Sequence, residues 1–204
     1  MRSRRTIIRA SGVTFVVTFL AAFFILGETF GSFGDSDQWF AELYEDDRPG
    51  DLIGAVAMAV AAIAFCVFAA FLTATESRPT NRTLLTIALA CFAVLMLASA
   101  ACVATIPATR AFGGAFSDGG QATSAYWLLP QLAYLLLGVA GISAACAVLL
   151  MTLGGSAPSL PAVTRWLGIV AGVLLFASVV VLPLLLLPLW VFVASIWHGV
   201  SSDA

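Results

Sequence analysis

Residues 166–197 read WLGIVAGVLLFASVVVLPLLLLPLWVFVASIW, a run without a charged residue. As one helix these 32 residues would be ~48 Å long, against a bilayer hydrocarbon core of ~30 Å. Tilting does not absorb so large an excess. Pro183 and Pro188 divide the run. A proline in the first turn of a helix is tolerated, because the N–H it lacks had no partner there. The run therefore predicts a fifth helix over 163–180, a tight break, and a sixth helix over 183–198, each ~24–27 Å long. The break falls in Ser178-Val-Val-Val-Leu-Pro183, which holds no Gly, Asn or Asp to make a turn. Non-helical backbone in lipid must still find hydrogen-bond partners. The alternative is a single kinked, steeply tilted fifth helix.

Four apolar runs lie upstream, over 7–27, 52–73, 84–106 and 126–153. Each is long enough for ~20 residues of hydrocarbon. In the whole chain of 204 residues, 61% are apolar and 10% charged, with a mean hydropathy of +1.05. A water-soluble globule of this size cannot hide so much apolar surface. The composition also excludes a disordered chain, a disulfide scaffold and a nucleic-acid binder. The expectation is an all-α fold, a polytopic transmembrane helical bundle of six helices, with residues 1–204 as one domain.

Charge sets the orientation. Arg2, Arg4, Arg5 and Arg9 precede or open the first run; Arg78 and Arg82 lie between the second and third; Arg165 opens the fifth. Only Arg48 and Arg110 fall on the other side. The positive-inside bias then places the N-terminus in the cytoplasm. All basic residues are arginine, and Ala, Gly and Val abound, which suggests a high-GC bacterial source and its plasma membrane. Ser3-Arg4-Arg5 resembles a twin-arginine export signal, but the apolar run after it is long, lacks a cleavage site and is followed by more spans. The loop 28–51 is acidic and external. Within it Asp35-Ser36-Asp37-Gln38 reads as a capping box, and Trp39, Phe40, Leu43 and Tyr44 share a face, so a short interfacial helix is expected. Asp51 is the expected N-cap of the second span. The Gly-rich loop 107–124 is external too, and Tyr126 and Trp127 mark the outer interface.

An ionisable residue at mid-membrane would be a functional signal, and the spans hold none at their centres. Uncharged polar residues remain. Gln131 and Tyr134, with Ser143 further along, are candidates for a small polar pocket in the fourth span; helix–helix hydrogen bonding is the plainer role. His198, the one histidine, sits at the end of the last run and makes neither a haem nor a zinc site alone. Cys66, Cys91, Cys102 and Cys146 form no Cys-x-x-Cys pair and read as small apolar residues. Gly141-Ile142-Ser143-Ala144 with His198 resembles the Ser–His dyad of rhomboid intramembrane proteases. Ala144 in place of the family's glycine, and the missing Trp-Arg loop, argue against it. No enzyme activity, cofactor or metal is expected.

Small residues point to packing. Gly168-Ile-Val-Ala-Gly172 is a GxxxG match, and Gly138, Gly141 and Ala145 mark one side of the fourth span. Such residues let helix backbones approach closely, either within the chain or in a homodimer.

Leu160-Pro161, Arg165-Trp166-Leu167-Gly168, Gly172 and Pro188-Leu189-Trp190-Val191-Phe192-Val193-Ala194-Ser195 resemble a run in a family of small multi-spanning membrane proteins of high-GC bacteria, a domain of unknown function. In that family "LPRWLG" precedes two short final helices and "PLWVLVVS" lies in the last. The resemblance covers residues 160–197. It departs where Ala162-Val163-Thr164 separates the proline from the arginine, and at Ser201-Ser202-Asp203-Ala204, where many relatives carry arginines. It implies six helices and supplies no activity. The function expected from the sequence is a structural, accessory or partner-binding role in the lipid bilayer, alone or with other membrane proteins. A carrier for a small neutral or lipid-like solute is the alternative.

Overall fold

In the computed structural model the described residues are 2–31, 49–74, 78–111, 123–154, 160–178 and 182–197. They form six α-helices: α1 (Arg2–Gly31), α2 (Pro49–Leu72), α3 (Pro79–Ala111), α4 (Thr123–Leu153), α5 (Ala162–Leu175) and α6 (Leu186–Trp197). A 3-10 turn, Leu182–Leu185, leads into α6. The fold is an all-α helical bundle with no strand among the described residues. Four of its helices are long and apolar enough to cross a membrane. The expected interfacial helix over 35–47 and His198 lie outside the described residues.

Successive apolar helices, packed in turn, build an up-and-down ring. Each helix packs on its neighbours in sequence, and α6 returns to α1. One side-chain bond to a neighbour's backbone joins each successive pair. The Arg4 guanidinium donates to the Phe71 carbonyl at 2.7 and 3.1 Å, linking α1 to the last turn of α2. That carbonyl is among those a helix end leaves without an intrahelical partner, and the negative end of the helix dipole favours a cation there. The Cys66 thiol points at the Leu89 carbonyl of α3 at 3.8 Å. The Ser99 hydroxyl donates to Ala133 of α4 at 2.8 Å. Ser178, just past α5, donates to Gly138 of α4 at 2.9 Å. The Trp190 indole of α6 donates to Thr164 of α5 at 3.1 Å. Bonds of this kind between membrane helices contribute ~0.6 kcal/mol each; their value is in fixing register.

The sequence reading and the structure differ at several ends. The helix expected over 163–180 stops at Leu175. Its end tightens without glycine: the Phe176 and Ala177 amides donate three residues back, to Val173 and Leu174, at 3.3 and 3.0 Å. Such i→i−3 bonds use up orphan carbonyls. Ser178 then leaves for the Gly138 carbonyl. Pro183 falls in the 3-10 turn and Pro188 in the first turn of α6, where a missing N–H is harmless. Asp51 is not an N-cap: α2 begins at Pro49, and Asp51 lies buried within its first turn. At the same end of the bundle α3 runs past Pro107 to Ala111.

The interior mixes aromatic and small residues with buried leucines and methionines. Phe15 of α1 packs on Phe65 of α2 at 5.2 Å between ring centroids. Phe65 meets Phe92 of α3 edge-on at 4.9 Å, and Phe68 meets Trp190 edge-on at 6.2 Å. The outside is inverted relative to a soluble protein. Phe24, Ile63, Val94, Leu128, Val173 and Leu189, one from each helix, are all more than half exposed. Such a continuous apolar exterior is stable only against a non-aqueous medium or a partner.

The glycines named from sequence all lie at contacts inside the chain. A Cβ on Gly168 would overlap Thr152 and Trp190; on Gly172 it would come within 2.7 Å of Leu149; on Gly141 it would overlap Ser178 and Leu184. Gly138 supplies the carbonyl that Ser178 uses. Gly168→Ala should therefore cost ~1–3 kcal/mol, the range for an overfilled contact. Gly27, with nothing within 4 Å of such a Cβ, is the control: Gly27→Ala should leave stability unchanged or raise it by up to ~1 kcal/mol through helix propensity. Unfolding of the detergent-solubilised variants measures both.

Candidate functional site

A groove of about 650 Å³ runs over α4 between α3 and the end of α5. Its hollow arises from short side chains on facing helices. Ala88 and Cys91 lie one turn apart on α3, and Ser143 and Cys146 one turn apart on α4. Longer residues form the walls: Leu84 and Ile87 on one side, Leu149, Leu150 and Leu153 on the other. Phe176, where α5 ends, closes the far end. At the near end stand Arg78 and Asn81, beside Gly154.

The dimensions follow from helix geometry. Asn81 to Cys91 on α3, and Ser143 to Leu153 on the antiparallel α4, each span ten residues, or ~15 Å. The groove is thus polar and cationic at one end and apolar along its length. Among the described residues that line it, none is acidic. Arg82, one turn from Arg78, is also exposed.

The polar residues expected to share a pocket are not brought to one space. Tyr134, Gly138 and Gly141 fall at i, i+4 and i+7, so they form one stripe, with Gln131 a turn earlier. Gly138 and Gly141 on that stripe meet Ser178 and Leu184. Gln131 and Tyr134 therefore sit on the face of α4 that looks to the α5–α6 pair, beyond its turn. Both are half-buried. Ser143 is nine residues from Tyr134, two and a half turns, and so lies on the opposite face, in the groove. Its hydroxyl donates to Val139 of its own helix at 3.4 Å.

Chemically the groove offers an apolar length with a cationic, polar mouth. Nucleophilic catalysis needs a base within hydrogen-bond reach. His198, the base of the dyad weighed from sequence, lies outside the described residues. Among the described residues no three His, Cys, Asp or Glu side chains converge as a metal site would require. A second polar feature is buried near α6: among the described residues the Thr164 hydroxyl has no hydrogen-bond partner, while the Thr164 carbonyl accepts the Trp190 indole N–H. From sequence, Arg78 serves only to set the orientation, and Cys91 and Cys146 read as small apolar residues; none of these, nor Asn81 or Phe176, is assigned to a site. The available signal was the pairing of short residues on two facing helices below a span-end arginine.

Comparison with protein-family models, with curated proteins and with solved structures gives no match.

The four cysteines differ in access: Cys91 is exposed, and Cys66, Cys102 and Cys146 are half-buried. Alkylation of the detergent-solubilised protein by a small apolar maleimide should modify Cys91 first and Cys66, turned toward the Leu89 carbonyl, among the last. Peptide mapping by mass spectrometry reads the order.

Proposed function

We propose that the chain is a multi-pass protein of a bacterial plasma membrane, with a cytoplasmic N-terminus and a structural, accessory or partner-binding role. The observation that carries this reading is the combination of an apolar exterior on all six helices with small-residue contacts already used inside the ring. A GxxxG dimer through Gly168 and Gly172 would have to displace Thr152, Trp190 and Leu149, so partners dock on other faces. The distribution of charge supports the orientation. The N-termini of α1, α3 and α5 lie at one end of the up-and-down ring, and seven of the nine arginines in the sequence cluster at or beside them. Lys/Arg excess marks the cytoplasmic side.

The α5–α6 pair supports a cytoplasmic C-terminus as well. α5 is ~21 Å long and α6 with its 3-10 lead ~26 Å, both short of the hydrocarbon thickness. Their turn is level with Gly138–Gly141, the middle of α4. The pair thus enters and leaves by the arginine-rich end. The groove favours one second reading, a carrier for a small neutral or lipid-like solute, because its apolar length opens sideways rather than through the ring.

Topology is tested by single-cysteine reporters in otherwise cysteine-free protein expressed in intact cells. Reporters at residues 40 and 115 should react with an impermeant maleimide from outside; those at residues 3 and 203 should react only after the membrane is opened. The opposite pattern would invert the orientation. Purification in mild detergent separates the two roles: an accessory protein brings a stoichiometric partner, whereas a carrier is isolated alone and exchanges solute in vesicles.

A further inference from the structure

We propose that the groove between α3, α4 and the end of α5 holds one acyl chain of an anionic phospholipid from the inner leaflet, with its phosphate on Arg78 and Asn81. It rests on the membrane reading above and adds to it a ligand class. Three observations select this occupant. The first is length. The groove runs for ten residues of helix from Asn81 to Cys91 and stops at Phe176. That is ~15 Å, half the hydrocarbon core, and so the depth of one leaflet. A partner's transmembrane helix would use a seam of about twice that length.

The second is charge. The groove begins at the arginine-rich end, where an exposed guanidinium and a side-chain amide stand at its mouth. A guanidinium offers a planar fork of donors that fits phosphate oxygens, and the Asn81 amide adds another donor. Basic pockets between membrane helices on the cytoplasmic side bind anionic headgroups in this manner. A zwitterionic lipid would bring its own cation to the same place and gain less. The third is shape. The short Ala88, Cys91, Ser143 and Cys146 side chains floor a hollow between longer leucine and isoleucine walls, which seats a thin, flexible chain.

The test uses the full-length protein purified in mild detergent and native mass spectrometry with phosphatidylglycerol or phosphatidylcholine of matched acyl chains. Wild type should retain phosphatidylglycerol about tenfold more tightly, equivalent to about 1.4 kcal/mol. Arg78→Gln should lower that retention to the phosphatidylcholine level. Arg78→Lys should restore part of the preference. Arg165→Gln removes an exposed charge from the same end of the bundle but outside the groove, and should leave the preference intact. Cys91→Phe fills the hollow and should weaken retention of both lipids. Equal retention of the two lipids by wild type would overturn the inference, as would equal losses in Arg78→Gln and Arg165→Gln. A photoreactive residue at position 91 should capture lipid in cells; capture of a polypeptide would assign the groove to a partner helix instead. Recovery of the chain from the aqueous fraction without detergent would refute the membrane reading itself, an outcome separate from a lack of lipid preference.

Discussion

The indole of Trp190 and the bare backbone at Gly168 meet at the point on which the remaining helices depend. Trp190 is fully buried. Its ring occupies the space a side chain at Gly168 would take, its N–H reaches the Thr164 carbonyl, and its face meets the edge contact with Phe68 of α2. One side chain thus joins the last helix to the fifth and to the second. Indole combines a large apolar area with one donor, so burying it without a partner would be costly. The carbonyl at the start of α5 meets that need. With α6 held there, Ser195 can seat against Gly12 and close the ring on α1.

The same logic distributes residue types across the bundle. Between membrane helices there is no gain from removing water, because lipid tails are as apolar as leucine. Contact area must come from shape. The interior therefore interleaves glycine and alanine with aromatic rings and with leucines such as Leu26, Leu175 and Leu187, while further aliphatic side chains cover the outside. Thr164 apart, the buried hydroxyls serve either their own helix or the next. Thr18 and Thr73 bond back to carbonyls four residues earlier at 2.7 Å, whereas Ser99 and Ser178 reach across.

Helix number, order and approximate limits were legible because length and proline placement bound them: a run of 32 residues cannot be one span. The small-residue stripe on α4 was legible for a similar reason, since Gly138 and Gly141 have no other use at helical spacing. The turn after α5 was not. Turn chemistry is ordinarily read from Gly, Asn or Asp, and here a tightened last turn and a serine hydroxyl do the work. The pairing of Ser143 with Gln131 and Tyr134 failed on phase, because nine residues carry a helix to its far side. The groove itself was hidden because it depends on α3 and α4 presenting short residues at the same height. No local pattern in either helix encodes that register; it comes from the Ser99 link and from the packing of the whole ring.

The mid-height turn of α5 and α6 gives the molecule a lopsided profile. Four rods reach the far end and two do not. In a bilayer the lipids alongside the short pair would have to shorten, tilt or fill the space above the turn, at a cost of fractions of a kcal/mol per Å of mismatch. That cost falls where the sheet of lipid is already thin or sharply bent. A body of this profile would thus gather in such places without any receptor to direct it there.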